Sequence, residues 1–269
     1  MKKSNVCENS NGVVLFAFNS AIDYISIAEK CARLVQKHLG LPVTLITDSP
    51  QLVNYTFDRI IQVENTMNNI KSAFDNNLWR NADRYLAYDL SPYYETLLID
   101  VDYLVLDNSL LILFSQLCDY QIMENNQTLD ESWNFNMGSI SLPYKWATVI
   151  FFRKSRLAKQ LFDLTGRIQR NYAYYRLLYN IREPNFRNDY AFSIADYILT
   201  GYTSDKNNIK FTMLTLENPI ENMQLDGNFI TVREKDRAHL ITRQNIHIMN
   251  KQYLISEDFE HFVDDVCKE

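Results

Sequence analysis

Three runs of apolar residues constrain the fold of this chain more than any other feature of its sequence. They are Val13–Phe18, Thr96–Ile99 and Ala147–Phe152. A strand with one face in solvent alternates apolar and polar residues, whereas a strand that is buried on both faces does not. Such runs, separated by segments with helical periodicity, predict an α/β fold with a mostly parallel central sheet flanked by helices.

The segment after the first run predicts the helix and the second strand of a β-α-β unit. Apolar residues recur there at helical spacing, namely at Ile25, Ala28, Ala32, Val35 and Leu39. We expect Asn19 or Ser20 to cap this helix and Gly40 to end it. Val43–Thr47 follows as a strand, and the unit implies a right-handed crossover. No glycine-rich phosphate loop follows the first strand, so neither a dinucleotide-binding Rossmann site nor a P-loop is expected.

The remaining elements are predicted from the same patterns. We expect a short strand, three helices, a strand near the C-terminus and a final acidic helix; the first five lie at 58–63, 77–90, 155–180, 187–200 and 246–249. The polar stretch 123–145 is interpreted as a long functional loop or a small hairpin. A loop of that length in a compact domain commonly binds substrate.

Composition excludes several classes of protein. The 269 residues carry a formal net charge of −6, so no overall basic field attracts nucleic acid or membranes. The N-terminus has no signal-peptide pattern, and no segment offers the roughly 18 apolar residues of a membrane span. The four cysteines contain no C-x-x-C pair, which favours reduced thiols. We therefore expect a cytoplasmic protein, or one in the host cytoplasm if a phage encodes it.

Two carboxylates stand one residue apart where the second apolar run ends, at Asp100 and Asp102. Acids at the end of a buried strand are costly unless something neutralises them. Carboxylate oxygens are the ligands that Mg²⁺ and Mn²⁺ prefer, and these ions also bridge phosphate oxygens. The pair therefore predicts a metal–diphosphate site, although two turn-forming acids would give the same pattern.

Further features accompany the Asp-x-Asp motif in a characteristic order. An Asn and a Tyr follow the first strand, a basic residue lies sixteen positions before the motif, an Asn-Asp pair begins a later helix, and a His lies near the C-terminus. Over most of residues 12–251 this order resembles the GT-A glycosyltransferases, in particular their glycogenin-like, retaining group. The resemblance implies a Rossmann-like GT-A domain over 1–269. Its nucleotide-sugar-binding half would be about 12–110, its acceptor side about 111–251, and its C-terminal helical extension 252–269.

The resemblance also implies donor contacts. The end of the first strand and the loop after it would hold the nucleotide base, through Phe16, Ala17, Phe18, Asn19 and Tyr24. Arg84 would contact the donor phosphate or sugar. The stretch Asp100-Val101-Asp102 would lie against the donor ribose and sugar.

Metal and catalytic roles follow from the same resemblance. Asp100, Asp102 and His247 would hold Mn²⁺ or Mg²⁺. Asn188 and Asp189 would act with Asp100 at the donor sugar. A metal ion together with nearby cationic side chains would neutralise the leaving diphosphate.

Two departures from the family pattern stand out. The family's His-x-x-Gly-x-x-Lys motif is matched only in part, because Asn250 replaces the glycine and Lys251 comes two positions early. Lys251 is still expected to contact the diphosphate. Where the family carries Asn-Ser-Gly, this chain has Trp146-Ala147-Thr148, so the residues against the transferred sugar are expected to differ.

The segment 151–190 bears on the acceptor. It carries nine Lys or Arg residues against three acids, and aromatic residues are interleaved with the cations. Arginines with aromatic side chains suit a nucleic-acid backbone and unstacked bases. The other interpretation is a solvated basic helix face whose tyrosines pack inward.

These observations predict a metal-dependent glycosyltransferase that moves a sugar from a nucleotide-diphosphate donor to a hydroxyl acceptor. A UDP-sugar is the expected donor and a saccharide or glycan the expected acceptor, with retention of configuration following from the resemblance alone. One alternative is a phage-like enzyme that glycosylates hydroxymethylated DNA bases, which must be flipped out of the duplex. Another is a nucleotide-sugar-binding protein without transfer activity. A metal-dependent phosphohydrolase is not favoured, because this sequence has no second acidic cluster of suitable spacing.

Overall fold

The computed structural model describes residues 7–64, 70–71, 78–79, 81–129, 132–133, 136–137, 142–203 and 207–269. The strands are, in chain order, β1 (Cys7–Phe16), β2 (Val43–Thr47), β3 (Arg59–Gln62), β4 (Ile70–Lys71), β5 (Leu78–Trp79), β6 (Tyr93–Ile99), β7 (Tyr103–Leu104), β8 (Tyr120–Met123), β9 (Asn126–Gln127), β10 (Ser132–Trp133), β11 (Asn136–Met137), β12 (Leu142–Pro143), β13 (Trp146–Arg153), β14 (Asn208–Ile209), β15 (Met213–Leu216), β16 (Ile220–Asp226), β17 (Phe229–Glu234), β18 (Ala238–Thr242) and β19 (Ile246–Ile248). The helices are α1 (Tyr24–Leu39), α2 (Ala87–Leu90), α3 (Arg156–Arg170), α4 (Tyr172–Leu178), α5 (Asn188–Leu199), α6 (Lys251–Leu254) and α7 (Glu257–Lys268). Three 3₁₀ helices span Pro50–Leu52, Asn81–Leu86 and Ser109–Ser115.

The central sheet has seven strands in the order β3-β2-β1-β6-β13-β8-β14. All of its pairings are parallel except those of β13, which runs antiparallel to both neighbours. Helices α1 and α7 pack against each other, as do α3 and α5, while α5 also packs on β13. The predicted α/β class, with a mostly parallel sheet flanked by helices, is confirmed.

The β-α-β opening forms as its periodicity predicts, except at the start of the helix. The five apolar residues predicted for one face of α1 are all buried. Asp23 is the N-cap residue, and its carboxylate accepts from the backbone N–H of Ser26 at 3.1 Å, while the Asn19 side chain also caps the first turn by accepting from the N–H of Ile25 at 2.9 Å. Gly40 ends the helix with φ of +63°, a left-handed conformation that glycine adopts without steric cost.

A second sheet places the strand β19, from the C-terminal part of the chain, beside β7, which lies next to the end of β6 in the central sheet. Its order is β10-β9-β15-β19-β7, and β7 follows β6 after a tight turn. The pairing of β19 with β7 places His247 opposite Tyr103. The antiparallel strands β16, β17 and β18 form a separate three-stranded sheet.

The prediction of a continuous helix over 77–90 is wrong. Residues 78–79 pair in β5, the 3₁₀ helix 81–86 has a kink at Asp83, and only α2 is α-helical. Residues 77 and 80 lie outside the described residues. The leucine spacing suggested an amphipathic helix, but the kinked 3₁₀ turn directs the long Arg84 side chain inward, where it is 1% exposed.

Two other stretches differ from the prediction in detail. The helix predicted for 155–180 is broken at Asn171 into α3 and α4. The stretch 123–145 contains short antiparallel pairs, β9 with β10 and β11 with β12, and its residues 130–131, 134–135 and 138–141 lie outside the described part. Over the residues that the structure describes, no helix is long and apolar enough to cross a membrane.

Candidate functional site

Asp100 and Asp102 lie in the tight turn between β6 and β7. The backbone N–H of Tyr103 donates to the carbonyl of Asp100 at 3.1 Å, which closes this turn. The N–H of Asp100 donates to the carbonyl of Thr148 in β13, at 2.9 Å. The N–H of Ile248 donates to the carbonyl of Asp102 at 2.9 Å, which ties the turn to β19 as well. Val101 between the acids is buried, so only its backbone could face a ligand.

Arg84 connects Asp100 to the start of α5. Its guanidinium forms an ion pair with the Asp100 carboxylate and donates to the carbonyl of Ala147 at 2.6 Å. The N–H of the same Ala147 donates to the carboxylate of Asp189, at 2.9 Å. Arg187 pairs with the other oxygen of Asp189 at 3.2 Å. The structure therefore brings three predicted site residues, Arg84, Asp100 and Asp189, together at the backbone of Ala147, with Arg84 at its carbonyl and Asp189 at its N–H.

Asp102 faces two residues from the C-terminal part of the chain. Its Oδ2 forms an ion pair with Lys251, whose amine also donates to the carbonyl of Ile248 at 3.0 Å. Its Oδ1 lies 3.7 Å from Nε2 of His247 and makes no hydrogen bond. Both Asp102 and His247 are buried. Residues about 145 positions apart in sequence thus meet because β19 pairs with β7.

The two carboxylates have pKa values displaced in opposite directions. Burial raises the pKa of Asp100 to about 6, although Arg84 opposes this shift. Burial alone would also raise the pKa of Asp102, but Lys251 holds it below its ordinary value, and His247 adds to this only when its ring is protonated. Two interacting acids whose environments separate their pKa values are typical of functional sites, although structural ion pairs show this too.

Of the residues predicted to hold the nucleotide base, Tyr24 is the one whose side chain lies near the carboxylates. Burial, with the charges of Asp102 and Asp100, raises its pKa to about 12. The other four residues, Phe16, Ala17, Phe18 and Asn19, lie at the end of β1 and in the loop after it, and the first three are buried. The Asn19 amide accepts from the N–H of Ile25 at 2.9 Å and donates to Asp23 at 2.8 Å. These contacts give Asn19 a role in shaping the loop.

The donor set fits a hard divalent cation in part. Oδ1 of Asp102 is buried without a hydrogen bond and faces an imidazole nitrogen, an arrangement of oxygen and nitrogen ligands that Mn²⁺ accepts. Asp100, by contrast, is directed to Arg84. Across the residues described, no three His, Cys, Asp or Glu side chains already converge on one metal position. Asp102 and His247 are therefore the better-formed pair of candidate ligands.

Many charges of the segment 151–190 have partners within the fold. Arg153 pairs with Glu95 at 2.6 Å and donates to two carbonyls, and Lys154 donates to the carbonyl of Tyr88. Lys159 pairs with Asp163 at 2.9 Å. Four other arginines of the segment are exposed, namely Arg156, Arg167, Arg170 and Arg182.

Two residues behind His247 had no signal in the sequence that could have identified them. Thr215 lies 3.3 Å from Nδ1 of His247, and its hydroxyl donates to the side-chain oxygen of Asn126 at 2.7 Å. Thr215 stands in an ordinary apolar strand, and Asn126 lies in a polar stretch rich in Asn. Only the pairing of β9, β15 and β19 brings them beside the histidine.

No protein-family model matches this chain, and no curated protein matches it. Among solved structures it is similar to the glycosyltransferase GlyE of Streptococcus pneumoniae TIGR4, with 15% identity, 75% of this chain and 46% of GlyE covered, and a TM-score of 0.38. It is also similar to the galactosyltransferase LgtC in complex with donor and acceptor sugar analogs, with 10% identity, coverage of 69% and 70%, and a TM-score of 0.43. A third is the bifunctional IspDF from Campylobacter jejuni, with 11% identity, coverage of 69% and 47%, and a TM-score of 0.37.

The chain spans about half the length of GlyE, the first of these structures. At such identities and TM-scores these likenesses identify no donor, acceptor or reaction for this chain.

Proposed function

We propose that this chain is a glycosyltransferase that uses a nucleotide-diphosphate sugar, most simply a UDP-sugar, with Mn²⁺ or Mg²⁺. The observation that carries the proposal is the charge cluster at the end of β6. Two carboxylates, two cationic side chains and one imidazole meet there, although they come from three separate parts of the chain. A fold has no structural need to collect so many charges at one strand end, because each buried charge is costly.

The chain's own residues supply most of the chemistry. A bound divalent cation would neutralise the leaving diphosphate, with Asp102 and His247 as its best-placed ligands and Asp100 nearby. Lys251 lies beside Asp102, so it would bring a positive charge to the same phosphates. Arg84 holds Asp100 in place while its other nitrogen fixes the carbonyl of Ala147. The N–H of Ala147, in the preceding peptide group, would in turn orient Asp189 toward the sugar side.

The acceptor we propose is a saccharide or glycan hydroxyl, and the transfer would proceed with retention. Both statements rest on the resemblance of the motifs. Tyr144 packs edge-on against Trp146 and Tyr190, with ring centroids 4.9 and 5.7 Å apart, beside the start of α5. Trp146 stands where the family's Asn-Ser-Gly begins, so we expect this aromatic cluster to shape the acceptor side. The division into a donor half at 12–110 and an acceptor half at 111–251 remains a prediction.

The test is hydrolysis of a panel of UDP-sugars with Mn²⁺ and no acceptor, because water serves as a slow substitute acceptor. We expect turnover of one sugar, its loss with EDTA, and a drop of about 100-fold or more in Asp102→Asn. Asp226→Asn is the matched control, since it makes the same chemical change at an exposed position of β16. Equal rates in the two variants, or turnover that EDTA does not affect, would contradict the proposal.

A second candidate acceptor is DNA with hydroxymethylated bases. The exposed arginines of segment 151–190 and the exposed Tyr174 favour it, while the internally paired cations reduce the charge available. Binding of duplex DNA by a row of arginines should weaken steeply with salt. Arg170→Glu/Arg182→Glu should then abolish this binding, and salt-independent or undetectable binding would remove the candidate.

A further inference from the structure

Three buried polar side chains, those of Asn126, Thr215 and His247, form a line that ends at the site. The hydroxyl of Thr215 lies 2.7 Å from the Asn126 side-chain oxygen and 3.3 Å from Nδ1 of His247. Asn126 is 2% exposed, Thr215 1% and His247 8%. Thr215 and His247 are direct partners in the parallel pairing of β15 with β19, so backbone hydrogen bonds fix their positions.

Counting the protons in this line determines the form of the imidazole. The 2.7 Å separation is typical of an O–H···O bond, so Thr215 donates its single proton to Asn126. Thr215 then offers only a lone pair to Nδ1, which must carry the ring proton. A neutral imidazole has one N–H, so Nε2 is left without a proton.

The unprotonated Nε2 faces another acceptor. Oδ1 of Asp102 lies 3.7 Å away, is buried, and has no hydrogen-bond partner. Two buried acceptors without a proton between them repel each other unless a cation is shared. Lys251 is placed on the other oxygen of the carboxylate. Nε2 and Oδ1 therefore suit a small cation that binds both.

We propose that Thr215 and Asn126 are positioning residues that hold His247 as the Nδ1–H tautomer and so present Nε2, with Asp102, to a divalent cation. The inference rests on the proposed function, because it concerns the same site. Partners of this kind on the remote nitrogen of a metal-bound histidine commonly change metal affinity by about 10- to 100-fold.

The first test reads the tautomer directly in the metal-free protein. Long-range ¹H–¹⁵N correlation spectra at a pH where His247 is neutral should show the Nδ1–H form, with His247→Gln identifying the signal. Thr215→Val should move the proton toward Nε2, whereas Thr215→Ser, which keeps the hydroxyl, should restore the wild-type pattern. An Nε2–H tautomer in the wild type, or an unchanged pattern in Thr215→Val, overturns the inference.

The second test measures the Kd of Mn²⁺ alone by electron paramagnetic resonance. We expect Thr215→Val to weaken binding about 10- to 100-fold and Thr215→Ser to remain within about twofold of the wild type. Thr165→Val is the matched control, because Thr165 is equally buried but donates to the Leu161 carbonyl within α3. Thermal melting confirms that each variant is folded.

The outcomes separate this inference from the proposed function. Mn²⁺ binding that is lost in Asp102→Asn but unchanged in Thr215→Val would overturn the inference and leave the function standing. An absence of Mn²⁺ binding in the wild type would remove the metal-dependent function, and the tautomer spectra would still test the role of Thr215.

Discussion

The cluster at the end of β6 and the segment 151–190 both concentrate charge, but they use it in different ways. At the cluster, Asp100 and Asp102 each have a cationic partner from elsewhere in the chain, and an imidazole lies beside them. In the segment, Lys159 pairs with Asp163 on the same helix, and Arg153 secures its own strand to β6. Arg156, Arg167, Arg170 and Arg182 are exposed.

The difference shows that convergence is more informative than abundance of charge. The segment has more charged residues than the cluster, yet its Lys159–Asp163 pair lies on one exposed helix face at little cost, and its Arg153–Glu95 pair joins two neighbouring strands, β13 and β6. The cluster brings Arg84, His247 and Lys251 to one turn over long stretches of sequence and holds them at least partly buried. Desolvating those charges is expensive, so their meeting calls for a functional reason.

Removing a cation from the cluster should have the largest effect. We expect Arg84→Met to lower the free energy of unfolding by about 3–5 kcal/mol, because it leaves Asp100 without its cation. Urea denaturation at pH 7 measures this. Arg182→Met in the segment is the comparison, and it should change stability by less than about 0.5 kcal/mol, since Arg182 is exposed.

The double variant Arg84→Met/Asp100→Asn sharpens this result. Removing both charges should recover part of the loss, because a neutral amide is less costly to bury than an unpaired carboxylate. An equal loss of unfolding free energy in the Arg84 and Arg182 single variants would mean that the buried ion pair of the cluster stabilises the fold no more than an exposed arginine of the segment.

Substitution of a glycine in α3 should show that this helix of the segment packs tightly against the 3₁₀ helix that carries Arg84. Gly166 lies in α3, and a Cβ placed on it would come 2.6 Å from the ring of Tyr85, the neighbour of Arg84. Alanine ordinarily stabilises a helix interior by about 1 kcal/mol relative to glycine. Here we expect Gly166→Ala to destabilise the protein by about 1–3 kcal/mol, as overpacking does.

The control for this change is the same substitution after the ring has been removed. In a Tyr85→Leu background, Gly166→Ala should be neutral or stabilising, as measured by thermal and urea unfolding. Stabilisation by Gly166→Ala alone would show that α3 and the Arg84 segment are not tightly packed.

The smallest effect concerns pH. Because burial raises the pKa of Asp100 to about 6 in the metal-free protein, the carboxyl ¹³C signal of Asp100 should titrate with a midpoint near pH 6, as the carboxylate gains a proton and loses its attraction to Arg84. An acid whose pKa is higher in the folded than in the unfolded chain binds its proton more tightly when folded. Its contribution to stability therefore increases as pH falls from 6 toward 4.

This protonation should consequently precede unfolding, and circular dichroism at pH 5 should still report a folded chain. Arg182→Met should leave the midpoint of the pH profile in place. A midpoint near 4 would indicate that Asp100 titrates as an ordinary exposed carboxylate.

The parts of the fold that the sequence predicts are those whose signals are local. The buried runs at β1, β6 and β13 and the apolar face of α1 follow directly from residue spacing. The segment 77–90 defeats the same reasoning, because its leucines have helical spacing while the chain needs a 3₁₀ turn to bury Arg84. That requirement comes from Asp100 and is not local.

In the candidate site, too, the residues with a local signal or a motif were predicted and the others were not. Asp100 and Asp102 are identified by their position at the end of an apolar run, and Arg84, Asp189, His247 and Lys251 by the resemblance of their order. Thr215 and Asn126 carry no motif, since a threonine in a strand and an asparagine in a polar stretch are ordinary. Their place beside His247 depends on the register of three short strands, which spacing alone does not give.

The measurement that tests the central claim most directly is the affinity for UDP, by isothermal titration calorimetry, with and without Mn²⁺. If the cluster is a metal–diphosphate site, Mn²⁺ should tighten UDP binding to the wild type by about 5- to 150-fold, the usual range for coupling between two ligands. This gain should vanish in Asp102→Asn and persist in Asp226→Asn. UDP binding that is the same with and without Mn²⁺ in the wild type would contradict the account and make the charged turn after β6 part of the scaffold.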